Sequence, residues 1–358
     1  VQSGQTAVAV LATGSADTTA SMPTPFHSPG IGSDCSKQPT HWQLRSKRLE
    51  LPHCGSTRKR PLVMGIVNVT PDSFSDGGRY ADIQAAVAHG LSLVAEGADI
   101  LDIGGESTRP FSAALSVDEE WSRVSSVVRQ LVEQSGVPVS IDTSKAIVAA
   151  RAVELGVEII NDVTGLSGDA DMLRVALDSG AGVCAMHMQG TPQTMQVAPA
   201  YGDAVSEIYA YLAERRDQFV ASGIAHEKIC LDPGIGFGKT HAHNLELMTH
   251  ASRFLDLGVP ILIGHSRKGY IGKTIELNCG HKATQSDLDG GTAGAACGLA
   301  AQGIQIVRVH AVGLVTSALE LFCTHDRREC RELSNGCRQE LPDKKRACDA
   351  FASQAPLT

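Results

Sequence analysis

Short β-branched runs alternate with amphipathic stretches through most of this chain, and nearly every amphipathic stretch ends on a glycine just before the next run. Eight runs can be counted: Leu62–Val67, Ile100–Ile103, Pro138–Ile141, Glu158–Ile160, Gly182–Met186, Lys228–Leu231, Pro260–Ile263 and Gln305–Val309. Such alternation is the pattern of a parallel sheet built from βα units. The stretches between the runs carry helix-end signals. Asp82 precedes Ile83, Val87, Leu91 and Val94, and Ser116 with Glu119 reads as a capping box ahead of Trp121, Val124, Val128 and Leu131. Gly97, Gly136, Gly156, Gly180, Gly223, Gly258 and Gly303 stand where a helix C-terminus needs a left-handed residue. Eight units close into a ring, so the expected fold is α/β, a (β/α)8 TIM barrel. An open doubly wound sheet alternates in the same way. It normally places a Gly-rich fingerprint after its first strand, where this chain has Asn68-Val-Thr-Pro-Asp72.

The alternation lies within residues 42–321, the expected barrel domain. Residues 1–41 are rich in Ser, Thr, Gly and Pro without a sustained apolar period and are expected to be a disordered extension. Residues 322–358 form a polar, Cys-rich tail. The segment from His41 to Leu51 alternates enough to make a short hairpin that closes the barrel floor. A length of 358 residues with 42% hydrophobic residues suits one large domain. The formal charge of -8 argues against a nucleic-acid-binding surface, yet leaves room for a local positive pocket assembled from a few placed cations. The ten cysteines include no CxxC pair and several lie in apolar runs, which suits a reducing cytoplasm. Cys323, Cys330, Cys337 and Cys348 cluster near His325 without the spacing of the usual zinc knuckles. The apolar stretch Thr6–Leu11 is far too short to span a bilayer and has no basic segment before it, so neither membrane insertion nor secretion is expected.

Where each β-branched run should simply stop, a polar or charged residue follows: Asn68, Asp102, Asp142, Asn161, His187, Asp232, Ser266, and Arg308 with His310. In a barrel these ends converge on one mouth, the face on which active sites are built. A solvated loop explains any one of them, but not the whole set. Asp142, Asn161 and Asp232 follow the third, fourth and sixth runs and can line one wall. Carboxylates beside an amide suit a flat heterocycle with an amidine-like edge, such as a pterin, because each acid accepts two parallel N–H bonds. The same acids could instead bind a metal such as Mg²⁺. Arg109, Lys268, Arg308 and His310 supply potential cations after the second, seventh and eighth runs, which implies an anionic substrate. Gly-rich loops at 72–78 and 232–239 can bring backbone N–H groups to a ligand, although glycines in such loops are common. No Ser-His-Asp set or paired-acid hydrolase arrangement is evident, which points to electrostatic help for a good leaving group.

Seven motifs in order carry a family resemblance: MGIVNVTPDSFSDGG from Met64, DIGGESTRP from Asp102, SIDT from Ser140, NDV from Asn161, DPGIGFGK from Asp232, SRK from Ser266 and RVH from Arg308. Over residues 42–321 the chain resembles dihydropteroate synthases. That resemblance implies a cytoplasmic, usually dimeric barrel enzyme of folate synthesis, which joins a pterin methyl diphosphate to 4-aminobenzoate with release of pyrophosphate. It implies that Asp142, Asn161 and Asp232 hold the pterin with Lys268, and that Asn68 coordinates Mg²⁺. Arg308 and His310 would grip the diphosphate, and Asp102 would stabilise positive charge near the reacting carbon. Thr108, Arg109 and Pro110, with Phe74 of the preceding loop, would form the 4-aminobenzoate site, and Ser266 would contact its carboxylate. The chain departs from the family pattern at Ala311, where an acid is usual, and at Phe111, where a glycine is usual; the latter predicts altered sulfonamide affinity. Two other readings stay open: a pterin-binding methyltransferase of the corrinoid type, and a catalytically inactive pterin-binding homologue.

Overall fold

The computed structural model describes residues 38–53, 56–69, 78–108, 112 and 114–324. Residues 1–37 of the expected extension and 325–358 of the tail lie outside them. A hairpin, β1 (His41–Gln43) and β2 (Arg48–Glu50), precedes eight strands: β3 (Leu62–Asn68), β4 (Ile100–Gly104), β5 (Val139–Asp142), β6 (Ile159–Asp162), β7 (Gly182–Met186), β8 (Ile229–Asp232), β9 (Leu262–Ile263) and β10 (Ile306–Val309). The helices are α1 (Gly78–Ala95), α2 (Val117–Gln134), α3 (Ala146–Glu154), α4 (Met172–Ser179), α5 (Ala204–Ala221), α6 (His241–Thr249), α7 (Gly269–Cys279) and α8 (Gln285–Ala301). A last helix covers 312–324. The eight strands pair in parallel in the order β8-β7-β6-β5-β4-β3-β10-β9. The ring closes where Leu231 bridges Ile261 and its N–H donates to Pro260 O at 3.0 Å. This is the TIM barrel expected from the sequence, with all eight runs as strands.

Side chains alternate across each strand. Val63, Val67, Leu101, Ile103, Val139, Ile141 and Val307 pack with the helix faces in one large core. The alternate residues Leu62, Met64, Ile100, Ile159, Cys184, Cys230, Leu262 and Ile306 form a second core inside the ring, together with Trp42, Leu44 and Leu51 of the hairpin segment. The hairpin is therefore the barrel floor. Trp42 Nε1 donates to Lys228 O at 3.0 Å, and the Glu158 carboxylate accepts from Ser46 N at 2.7 Å and Lys47 N at 3.2 Å, which ties the hairpin turn to β6.

All seven glycines expected at helix C-termini have left-handed φ, between 63° and 105°. The capping box of α2 is present, with Glu119 N donating to Ser116 Oγ at 3.3 Å and Ser116 N to Glu119 Oε2 at 2.9 Å. Asp82 is a correction. It lies inside α1, whose described residues begin at Gly78, a residue type that local propensity assigns to a loop.

The final helix bears on the departure at Ala311. Val315 N donates to Ala311 O at 3.1 Å, which makes Ala311 the N-cap, and its methyl group cannot accept a hydrogen bond. The second amide of the helix, Gly313 N, donates instead to Glu96 Oε2 at 3.0 Å. A Cβ at Gly313 would stand 3.2 Å from that same oxygen, so the glycine leaves the carboxylate its room. Glu96→Ala is expected to cost about 1 kcal/mol of stability, the usual worth of a cap. Ala311→Asp in that background should restore it. No recovery in denaturant titrations of the double variant would mean that the two carboxylates do not serve the same amide.

Candidate active site

The C-terminal ends of the barrel strands open into a cavity of about 1010 Å³. Its wall includes Asn68, Thr108, Asp142, Ser266, Lys268, Arg308 and His310. Register explains the convergence. Asn68, Gly104, Asp142 and Asn161 are successive partners across β3, β4, β5 and β6, so they lie at one height. Two inward positions near the mouth are glycines. A Cβ on Gly104 would sit 3.7 Å from Asp142 Oδ2, and one on Gly264 would sit 3.7 Å from Asp232 Oδ2. The missing side chains leave flat space between the acids.

Beneath the cavity lies a buried charged cluster. Arg308 Nε donates to Asp102 Oδ2 at 2.6 Å and Nη2 to Asp142 Oδ2 at 2.8 Å, while Asn161 Nδ2 donates to the same Asp102 oxygen at 3.0 Å. Asp102 is completely buried, and its Oδ1 has no partner among the described residues. Burial pushes the Asp142 carboxyl up to about 7, against the pull of Arg308. It pushes Asp232 up to about 6, although Asp232 Oδ1 accepts from Gly234 N at 2.7 Å. Arg308, expected to face a diphosphate, thus has two of its nitrogens committed to acids.

Lys268 Nζ stands 3.9 Å from the centroid of the Phe237 ring. Burial, then the nearby Arg308, brings its ammonium down to about 8. His310 corrects the sequence reading. Burial, reinforced by Arg267, Arg308 and Lys268, holds its imidazole down to about 3, so it is neutral near pH 7 and not a cation. Ser266 Oγ accepts from His310 N at 3.2 Å and lies 3.0 Å from Nδ1. If the hydroxyl proton goes to Nδ1, the ring proton is on Nε2, where the imidazole acts as a neutral donor.

His187 is a second correction. It stands three positions beyond the inward Cys184 and so on the opposite side of the strand. Its ring packs edge-on against Tyr211, with centroids 4.8 Å apart, and lies 3.1 Å from Lys239 Nζ through Nδ1. Burial, then Lys239, lowers it to about 3. Arg109, Pro110, Phe111 and Phe74 lie outside the described residues, so their expected roles carry no geometry.

Three charged members of the cavity wall that lie within the quoted motifs have no role in the sequence reading: Glu106, Lys239 and Arg267. Glu106 Oε1 accepts from Leu115 N at 2.7 Å and Oε2 from Lys145 Nζ at 2.6 Å, which joins the two ends of the loop after β4. Lys145 also reaches the buried Glu120 at 2.6 Å. Lys239, at the end of the Gly-rich run after β8, donates to Phe237 O at 2.8 Å, and burial lowers it to about 7. The signal for each was its place inside or just after a quoted motif.

Among the described residues no three His, Cys, Asp or Glu side chains are grouped to hold a metal ion, and no helix is long and apolar enough to cross a membrane.

Residues 64–310 match the family model of pterin-binding enzymes. A dihydropteroate synthase of Neisseria meningitidis serogroup B is 46% identical over 269 residues, which cover 74% of this chain and 92% of that protein. A solved dihydropteroate synthase of Xanthomonas albilineans with 4-aminobenzoic acid superposes with a TM-score of 0.72 at 41% identity, covering 80% of this chain and 98% of the other. The same enzyme in complex with 7,8-dihydropteroate gives a TM-score of 0.69 at 40% identity, covering 80% and 98%. The family match begins in β3 and ends at His310, the span whose strand ends build the cavity, and on these grounds the chain belongs to the dihydropteroate synthases of the pterin-binding enzyme family.

Proposed function

We propose that the protein condenses 6-hydroxymethyl-7,8-dihydropterin diphosphate with 4-aminobenzoate to give 7,8-dihydropteroate and pyrophosphate in folate biosynthesis, as a homodimer in the cytoplasm. The observation that carries this reading is a cavity lined by Asp142, Lys268 and Arg308, with buried Asn161 and Asp232 set behind it against Asp102 and Gly264. Asp142, Asn161 and Asp232 present acceptors at the height where Gly104 and Gly264 leave flat space, which suits the N–H edge of a pterin. Lys268, neutral His310 and the outer edge of Arg308 face the position of a diphosphate. Ser266 and the first turn of α7, which has no side-chain cap, border the same cavity and suit the carboxylate of 4-aminobenzoate. Thr108 lines the same cavity, and with Arg109, Pro110 and Phe74 it would complete the arylamine site.

The donor set also fits Mg²⁺ of a particular kind. Lacking a cluster of acids or histidines among the described residues, the wall offers the amide of half-buried Asn68, which suits an ion that arrives on the diphosphate and takes few protein ligands. Bound there, Mg²⁺ would neutralise charge on the leaving pyrophosphate. The chain's own part is electrostatic. The methylene C–O bond breaks with its electron pair leaving on pyrophosphate, while Asp102 and its neighbours stabilise the cationic pterin. The arylamine nitrogen then forms the new C–N bond and passes its proton to water.

The direct test is pyrophosphate release by the purified chain given both substrates and Mg²⁺. Release that requires 4-aminobenzoate and yields dihydropteroate supports the reading; pterin binding without turnover would favour the inactive homologue. The Glu96 cap removes one motive for the latter, since the amide left bare by Ala311 is served.

A pH profile follows from the same cluster. The ring is held by ionised Asp232 and Asp142, so kcat/KM is expected to rise as they lose protons, through about 6 and 7. It should fall above about 8 as Lys268 becomes neutral. Lys268→Arg should move the alkaline limb upward. A flat profile between pH 6 and 9 would remove both assignments.

A further inference from the structure

One strained residue sits in the middle of the site. Arg267 has φ of 56°, one of three non-glycine residues with positive φ among the described residues, and it is flanked by Ser266 and Lys268. A left-handed backbone at a non-glycine residue persists only when its surroundings hold it there. Here the holding comes from one face of α8. Gln285, Leu288, Asp289 and Thr292 follow one another at the i, i+3, i+4 and i+7 spacing that puts residues on one side of a helix. Arg267 Nε donates to Asp289 Oδ1 at 2.6 Å and Nη2 to Asp289 Oδ2 at 3.0 Å, a two-point contact between planar groups. The backbone N–H of Arg267 donates to the hydroxyl of fully buried Thr292 at 3.1 Å, and buried His265, two residues earlier, contacts Thr292 O through Nε2 at 3.0 Å. Gln285 Nε2 donates to Asp289 Oδ2 at 3.3 Å and steadies the acid in turn.

The consequence lies on either side of the strained residue. Ser266 Oγ meets the His310 backbone and ring, and Lys268 Nζ lies over Phe237. Relaxing Arg267 to an extended or right-handed backbone would turn its two neighbours away from these partners. We infer that Asp289, acting through Arg267, is a positioning residue that keeps the 266–268 turn left-handed and so aims Ser266 and Lys268 into the cavity. It touches no reacting atom, and in kinetics its role rests on the synthase reading above.

Two substitutions separate positioning from mere stability. Asp289→Asn keeps the size of the side chain and removes its charge, so it releases Arg267. Arg267→Gly removes the guanidinium but makes the left-handed backbone free of strain, so a stability role alone predicts a melting temperature that is unchanged or raised and unchanged kinetics. The expected result is a rise in substrate KM of roughly tenfold in each variant, since glycine permits the left-handed turn without pinning it there, with the double variant no worse than either single one because both break one device. Unaltered KM and kcat in both variants would overturn the inference. Should the wild-type chain itself prove inactive, the synthase reading fails and a crystal structure of Asp289→Asn decides the rest. Arg267 leaving positive φ with Lys268 displaced from the Phe237 ring supports positioning, and an unchanged turn overturns it.

Discussion

Replacing Arg308 by alanine is expected to destabilise the chain by about 3–5 kcal/mol at pH 7, the usual cost of removing one partner from a buried ion pair. Arg308 is 19% exposed, and it lies between a fully buried Asp102 and an Asp142 side chain only 13% exposed. Without it, the carboxyl groups of Asp102 and Asp142, on the adjacent strands β4 and β5, lose the cation that bonds to both. The loss should grow by pH 9, because losing Arg308 moves the Asp142 carboxyl above about 7, so that it is largely protonated at pH 7 and becomes an unpaired charge only on the alkaline side. Turnover should fall as well, by about 1.5–3 kcal/mol for contacts to charged groups, or roughly 10- to 150-fold. Denaturant titrations at the two pH values and single-turnover kinetics check both halves. A stable, fully active Arg308→Ala protein would contradict the cluster as described.

The second large effect is expected from Gly234→Ala in the loop after β8. Gly234 has φ of +70°, and a Cβ there would lie 2.0 Å from His187 O. That atom is backbone, at the end of the β7–β8 pairing where His187 N donates to Asp232 O at 2.9 Å, so no rotamer change relieves the clash. The left-handed backbone alone costs about 1–2 kcal/mol, and the forced shift should bring the total to roughly 3 kcal/mol or more. Because Gly234 N is also the donor to Asp232 Oδ1, the acid proposed to hold the pterin moves with it, and a displacement of about 1 Å is worth roughly a hundredfold in rate. Gly258→Ala is the control. Its φ is +73° but nothing lies within 4 Å of the added methyl, so it should lose only the backbone part and keep normal kinetics. Equal behaviour of the two variants would show that the contact with His187 O is not what makes Gly234 special.

What the sequence reveals, and what it hides, divides along a physical line. The strands, the seven helix-ending glycines and the α2 capping box are written in local chemistry, and each appears where the spacing puts it. The polar strand ends are legible for the same reason. His187 escapes because its direction depends on counting from the inward Cys184, and a list of strand ends discards that parity. The charge of His310 escapes because its burial and two of its three neighbouring cations, Arg267 and Lys268, come from elements distant in sequence. The replacement for the acid missing at 311 comes from Glu96, whose partner amide is 217 positions further along the chain. The Asp289–Arg267 pair is equally silent in sequence, since a strained φ has no residue signature except the glycine that is absent there.

The hairpin floor has a consequence for how the chain reaches this state. The Trp42 indole finds its carbonyl partner at Lys228, 186 residues later, and the apolar set it joins draws on strands as late as β10. Closing so long a loop is costly before the contacts that reward it exist, which makes pairings of this kind late and slow in folding. During synthesis the hairpin must therefore wait, with its tryptophan and two leucines uncovered, until nearly the whole ring has formed. Plugging the floor is then among the final events of folding, and the early hairpin is the part of the nascent protein most in need of protection against aggregation.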